Sequence, residues 1–127
     1  MSDRRRALVA VVDDDRGVLR SIEYLLESAD CGARLFASAQ AALDSGCLAE
    51  IDCLISDIDM PGMDGFELLR TVQATRPRLP IIVITGYPER LKQVPSLGET
   101  KPRFFTKPFH GPELLAAVSD ALRGDSR

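Results

Sequence analysis

Asp52-Cys53-Leu54-Ile55-Ser56-Asp57-Ile58-Asp59-Met60-Pro61-Gly62-Met63-Asp64-Gly65 decides the fold. Cys53-Leu54-Ile55 is a short, continuous apolar run, the pattern of a strand covered on both faces. It ends at an acid, Asp57. Pro61 and Gly62 then force a loop. Asp64 stands where a helix N-cap belongs, and Phe66, Leu69 and Val72 mark one side of a helix over 65–75. A buried strand, an acid at its end, a loop and a helix make one half of a βαβ unit.

The same alternation extends both ways. Upstream, Ala7–Val12 is a β-branched run, and Val18, Leu19, Ile22, Leu25 and Leu26 draw one helical stripe over 17–29. Ala33–Ala37 reads as a strand and Ala39–Leu48 as an alanine-rich helix. Downstream, Pro80 opens the strand Ile81-Ile82-Val83-Ile84, and Arg103-Phe104-Phe105-Thr106 is a short fifth strand. Pro112 suits the first turn of a last helix carrying Leu114, Leu115, Val118 and Leu122. Repeated βα units predict an α/β fold: a doubly wound five-stranded parallel sheet, flavodoxin-like, in the order 2-1-3-4-5, with helices on both faces.

At 127 residues the chain is read as a single domain, 1–127, with its core at about 7–122. A net charge of −3 argues against direct nucleic-acid binding. The basic run Arg4-Arg5-Arg6 reads as a solvated lead-in. No apolar stretch is long enough to span a membrane, and no signal peptide is expected. The 3 cysteines, Cys31, Cys47 and Cys53, are odd in number and form no CxxC. They predict free thiols in a cytoplasmic protein.

In such a sheet, ligands bind beyond the carboxyl ends of the strands. There the first strand offers Asp13-Asp14-Asp15, the third Asp57, the fourth Thr85, and Lys107 follows the fifth. Crowded carboxylates raise each other's pKa unless a cation neutralises them. Hard oxygen ligands suit Mg²⁺. A lysine and a threonine hydroxyl can hold phosphoryl oxygens. These parts describe phosphoryl transfer with Asp57 as nucleophile. Capping of the first helix accounts for one acid of the triplet, Asp14 or Asp15. It does not account for the rest.

Val11-Val12-Asp13-Asp14-Asp15, Ile55-Ser56-Asp57-Ile58-Asp59-Met60-Pro61-Gly62-Met63-Asp64-Gly65, Ile84-Thr85-Gly86 and Thr106-Lys107-Pro108-Phe109 stand in an order and spacing that resembles the receiver domains of two-component response regulators, the CheY-like fold. The resemblance covers nearly the whole chain, about 7–122. It implies that Asp57 is the phosphoacceptor. It makes Asp14 and Asp57 direct Mg²⁺ ligands, Asp13 a ligand largely through water, and the Asp59 carbonyl the remaining protein ligand. Lys107 would bind phosphoryl oxygens and Thr85 would act as the switch. Phe104 matches the aromatic residue that turns inward on activation, which leaves Phe105 to the core. The implied partners are a sensor histidine kinase or phosphotransfer protein and an output domain or downstream protein, with a homodimer as one option. The role is regulatory, not enzymatic beyond self-phosphorylation and autodephosphorylation. The chain is expected to be either a stand-alone regulator or a receiver excised from a longer protein.

The sequence departs from that family in places. Tyr87–Pro102 contains Pro95, Gly98 and Pro102 where a regular fourth helix would stand. Proline removes a helix hydrogen bond and clashes with the preceding turn, so a short or distorted helix of about one to two turns is expected. The surface that the family commonly uses to dimerise or dock is in doubt accordingly. Asp59 adds an acid beside the phosphoacceptor. Its simplest placement is a solvent-facing side chain that lends only its carbonyl. Tyr87 would sit at the rim and shield the phosphate. His110 is read as a surface residue with no ligand role. The rival readings are a degenerate receiver acting as a phosphorylation-independent binding module and a haloacid dehalogenase-type phosphatase using Asp57-Ile58-Asp59.

Overall fold

The computed structural model describes residues 6–60, 65–94 and 101–124. The expected loop and Asp64 cap at 61–64, and Pro95 and Gly98, lie outside those residues. The strands are β1 Leu8–Val12, β2 Gly32–Phe36, β3 Cys53–Asp57, β4 Ile81–Thr85 and β5 Arg103–Thr106. They pair in parallel in the order β2-β1-β3-β4-β5. The α-helices are α1 Arg16–Ser28, α2 Ala39–Ser45, α3 Gly65–Thr75 and α4 Gly111–Leu122.

Side chains alternate across the sheet and build two cores. Ala10, Val12, Leu54, Ile81 and Val83 pack with α2 and α3 residues such as Ala42, Phe66, Leu69 and Val72. Val9, Val11, Cys53, Ile55, Ile82 and Ile84 pack with Leu19, Ile22 and Leu26 of α1 and Leu114, Ala117 and Val118 of α4. Because the strands β1, β3 and β4 are covered on both faces, their sequences are continuous apolar runs with no alternation.

The helix over 39–48 ends sooner than its composition suggests. Gly46 takes a left-handed φ of 74° and closes α2, and Cys47–Ala49 continues as one 3-10 turn. Between β4 and β5, among the described residues, stands a six-residue 3-10 turn, Pro88–Gln93, with Pro88 at its start. Over Pro88–Gln93 the chain is thus 3-10 and not α-helical, in keeping with the expected distortion. Arg6 is less free than a solvated lead-in: its Nη2 donates to the Cys31 carbonyl at 2.9 Å, and its Nε stands 3.5 Å from Asp30. All three cysteines are free and buried. Among the described residues no helix is long and apolar enough to cross a membrane.

Candidate functional site: an acidic pocket at the strand ends

From β1 the chain leads to β2 on one side, and β3 lies on the other, so the β1–β3 boundary is the topological switch point. Asp13 follows β1 there and Asp57 closes β3; both are buried, while Asp14 is exposed at the rim. Carboxylate oxygens of Asp13, Asp14 and Asp57 all lie within 4.8 Å of one another. Asp15 is the N-cap of α1: its Oδ1 accepts from the N–H groups of Gly17 at 2.8 Å and Val18 at 3.3 Å. That settles which acid of the triplet caps the helix and leaves Asp14 to the pocket.

Lys107 joins the pocket from the end of β5. Its backbone N–H donates to the Thr85 carbonyl at 2.8 Å, and the following bond to Pro108 is cis. Its Nζ donates to Asp57 Oδ2 at 3.1 Å and stands 3.0 Å from Asp13 Oδ2. The second approach is a charge contact without good hydrogen-bond alignment, so among the described residues the buried Asp13 Oδ2 has the Lys107 ammonium beside it but no well-aligned hydrogen bond. Asp13 Oδ1 accepts from the Asp15 N–H at 2.9 Å, and Asp57 Oδ1 from the Asp59 N–H at 2.8 Å.

Burial pushes the Asp13 carboxyl above its ordinary value; the Asp15 N–H and Lys107 pull it back only in part, and the neighbouring Asp57 adds to the rise. Burial alone would lower the Lys107 pKa. Its contacts with Asp13 and Asp57 outweigh that, and the net direction is upward. The ammonium is therefore kept charged. One ammonium against three carboxylates leaves the pocket negative. A pocket of hard oxygens, one of them buried and without a well-aligned hydrogen bond, fits a small divalent cation such as Mg²⁺.

The family model for the response regulator receiver domain matches residues 9–119. This chain belongs to that family. Over 115 residues the receiver is 36% identical to the transcriptional regulatory protein FixJ of Bradyrhizobium diazoefficiens, covering 91% of this chain and 56% of that protein. It is 34% identical over 123 residues to the response regulator protein TodT of Pseudomonas putida, covering 97% of this chain and 54% of that one. The receiver thus spans about half the length of the curated relatives it matches. Among solved structures it resembles the signal receiver domain of an HD domain-containing protein from Pseudomonas fluorescens Pf-5, with a TM-score of 0.83, 30% identity and coverage of 95% and 98% of the two chains. The chemotaxis protein CheY4 of Vibrio cholerae gives 0.81 at 28% identity, with coverage of 93% and 100%.

Beside the pocket, Thr85 ends β4 fully buried at 0% exposure. Its Oγ1 donates to Asp59 Oδ2 at 2.6 Å and accepts from the Tyr87 N–H at 3.0 Å. Asp59 Oδ2 also accepts from the Gly86 N–H at 2.9 Å, and Asp59 Oδ1 pairs with Arg90 Nη1 at 3.0 Å. The expectation of a solvent-facing Asp59 side chain is thus overturned: its carboxylate is 15% exposed and satisfied on both oxygens. Sequence reasoning missed Arg90 altogether, because its partner lies 31 residues away and no local motif marks it. Tyr87 is 57% exposed, and its backbone meets Thr85: its N–H donates to Oγ1 at 3.0 Å, and its carbonyl oxygen lies 3.4 Å from Oγ1. Phe104 is 45% exposed, whereas Phe105 packs on the α1/α4 core, as the strand alternation requires. His110 is exposed and caps α4 without a side-chain hydrogen bond.

Proposed function

We propose that the domain takes a phosphoryl group onto Asp57 from a phosphohistidine of a sensor histidine kinase or phosphotransfer protein. The observation that carries this reading is the buried Asp57 carboxylate at the end of β3, hydrogen-bonded to Lys107 and crowded by Asp13 and Asp14. In the transfer, a carboxylate oxygen of Asp57 attacks phosphorus. The P–N bond of the donor breaks with its electron pair staying on the imidazole, and a P–O bond to Asp57 forms. Lys107 already faces an Asp57 oxygen and would follow the charge onto the phosphoryl oxygens. The Asp59 N–H orients the carboxylate through its other oxygen. Water attack on phosphorus later restores the carboxylate and releases inorganic phosphate.

Asp13, Asp14, Asp57 and the Asp59 carbonyl would hold Mg²⁺, which when bound supplies the positive charge that offsets the negative charge of acceptor and phosphoryl group. Thr85 would donate its hydroxyl to the phosphoryl group, and Phe104, outward here, would turn inward with it. For the incoming donor, an open groove of about 850 Å³ adjoins Lys107, lined by Arg20, Tyr24, Leu25, Pro108 and Phe109. The altered surface would then act on an output domain or downstream protein.

Intact mass after acetyl phosphate and Mg²⁺ tests the reading. Wild type gains one phosphoryl group, and Asp57→Asn gains none. A gain that persists in Asp57→Asn overturns the assignment, and no gain in either points to a phosphorylation-independent binding module.

A further inference from the structure

Thr85 Oγ1 carries one proton, and that proton is already committed. It goes to Asp59 Oδ2 at 2.6 Å, a short bond to a carboxylate, in preference to the Tyr87 carbonyl oxygen at 3.4 Å. Asp59 cannot easily swing away, because the Gly86 N–H and the Arg90 guanidinium hold it at 2.9 Å and 3.0 Å. Arg90 is itself anchored, its guanidinium lying 5.0 Å from the centre of the Phe66 ring in α3. Arg90 also belongs to the 3-10 turn Pro88–Gln93, which follows β4. A phosphoryl group on Asp57 would want the same Thr85 proton and would bring negative charge next to Asp59, whose N–H touches Asp57 Oδ1.

We infer that Asp59 and Arg90 form a latch that holds the Thr85 hydroxyl away from Asp57, and that opening it carries the signal into the turn Pro88–Gln93. Arg90 is a positioning residue: it touches neither the phosphoacceptor nor its phosphoryl group, and acts by orienting Asp59 onto Thr85. The inference rests on Asp57 being the phosphoacceptor. With the latch closed only a fraction of molecules can offer Thr85 to a phosphoryl group, and the apparent affinity for a phosphoryl mimic falls by that fraction. Removing Arg90 therefore has two opposite effects. Loss of a nearby cation weakens anion binding, while loss of the latch strengthens it. The latch predicts that the second wins.

The experiment is beryllofluoride titration with Mg²⁺, followed by backbone amide and Thr85 methyl resonances, on wild type, Arg90→Gln, Arg90→Lys and Asp57→Asn. In wild type, residues 88–93 shift along with Ile58 and Lys107. In Arg90→Gln, the Thr85 methyl moves towards its bound position before ligand is added, and beryllofluoride binds about threefold to tenfold more tightly, the range of one hydrogen bond's net contribution. Arg90→Lys keeps the charge and returns most of the way to wild type. Unchanged or weaker binding by Arg90→Gln, or a wild-type response confined to Ile58 and Lys107, overturns the latch while the phosphoacceptor reading stands. A wild type that responds no differently from Asp57→Asn overturns both.

Discussion

Gly65 lies so close to Ile58 that a Cβ on it would stand 2.4 Å from Ile58 Cα and 2.7 Å from the Asp57 carbonyl oxygen. The contact brings the start of α3 directly against the residue that follows β3. Backbone atoms, not a flexible side-chain tip, would receive the added methyl. Gly65→Ala is expected to lose about 1–3 kcal/mol of stability, the usual range for overpacking. Its urea midpoint falls with an unchanged slope, and acetyl phosphate labelling of Asp57 slows.

Ionised Asp13 is expected to destabilise the metal-free fold. Its folded pKa is raised above the ordinary 3.8, so between those values the folded state binds more protons than the unfolded one. Stability then falls as pH rises through that window, and the loss persists in full above it. Asp13→Asn removes the loss while Lys107 keeps its bond to Asp57. Thermal melts in EDTA should place Asp13→Asn above wild type at neutral pH, with the gap closing as pH drops below the ordinary aspartate value. A gap independent of pH would show that burial of the charge is not the cause.

Mg²⁺ should reverse that order. A cation that binds only the folded state stabilises by about 2.7 kcal/mol at a hundredfold excess over its dissociation constant. Wild type gains thermal stability with added Mg²⁺ and loses it on chelation. Asp13→Asn and Asp14→Asn, each short of one carboxylate, gain less. Equal gains in all three would remove this pocket as the binding site.

Cysteine chemistry should be silent in the native state. Burial pushes the Cys53 thiol up to about 12 and raises Cys31 as well, and Cys47 is buried with them. The thiolate is the reactive form, so alkylation at neutral pH should be slow in the folded protein. In guanidinium, all 3 cysteines should label at the rate of free thiols. Rapid labelling of native Cys53 would contradict the packing of β3.

The order of elements, the parallel sheet and the acid-bearing strand ends are legible in the chain, because each depends on local signals. Apolar runs mark buried strands, Gly and Pro mark turns, and right-handed crossovers then bring Asp13 and Asp57 to one boundary. The irregular start of the fourth helical segment at Pro88–Gln93 is in keeping with a reading made from Pro95, Gly98 and Pro102, of which Pro95 and Gly98 lie outside the described residues. Only tertiary structure decided what Asp59 does. Thr85 and Arg90 lie 26 and 31 residues from it, and they meet it only where β3, β4 and the turn after β4 converge. The same holds for Asp15 capping α1 in place of Asp14, for Phe105 inside and Phe104 outside, and for Gly65 against Ile58. Periodicity tells which residues are apolar and which are charged. Where a carboxylate finds its donors depends on side-chain direction and on packing between elements far apart in the chain, and these exist only once the sheet has formed.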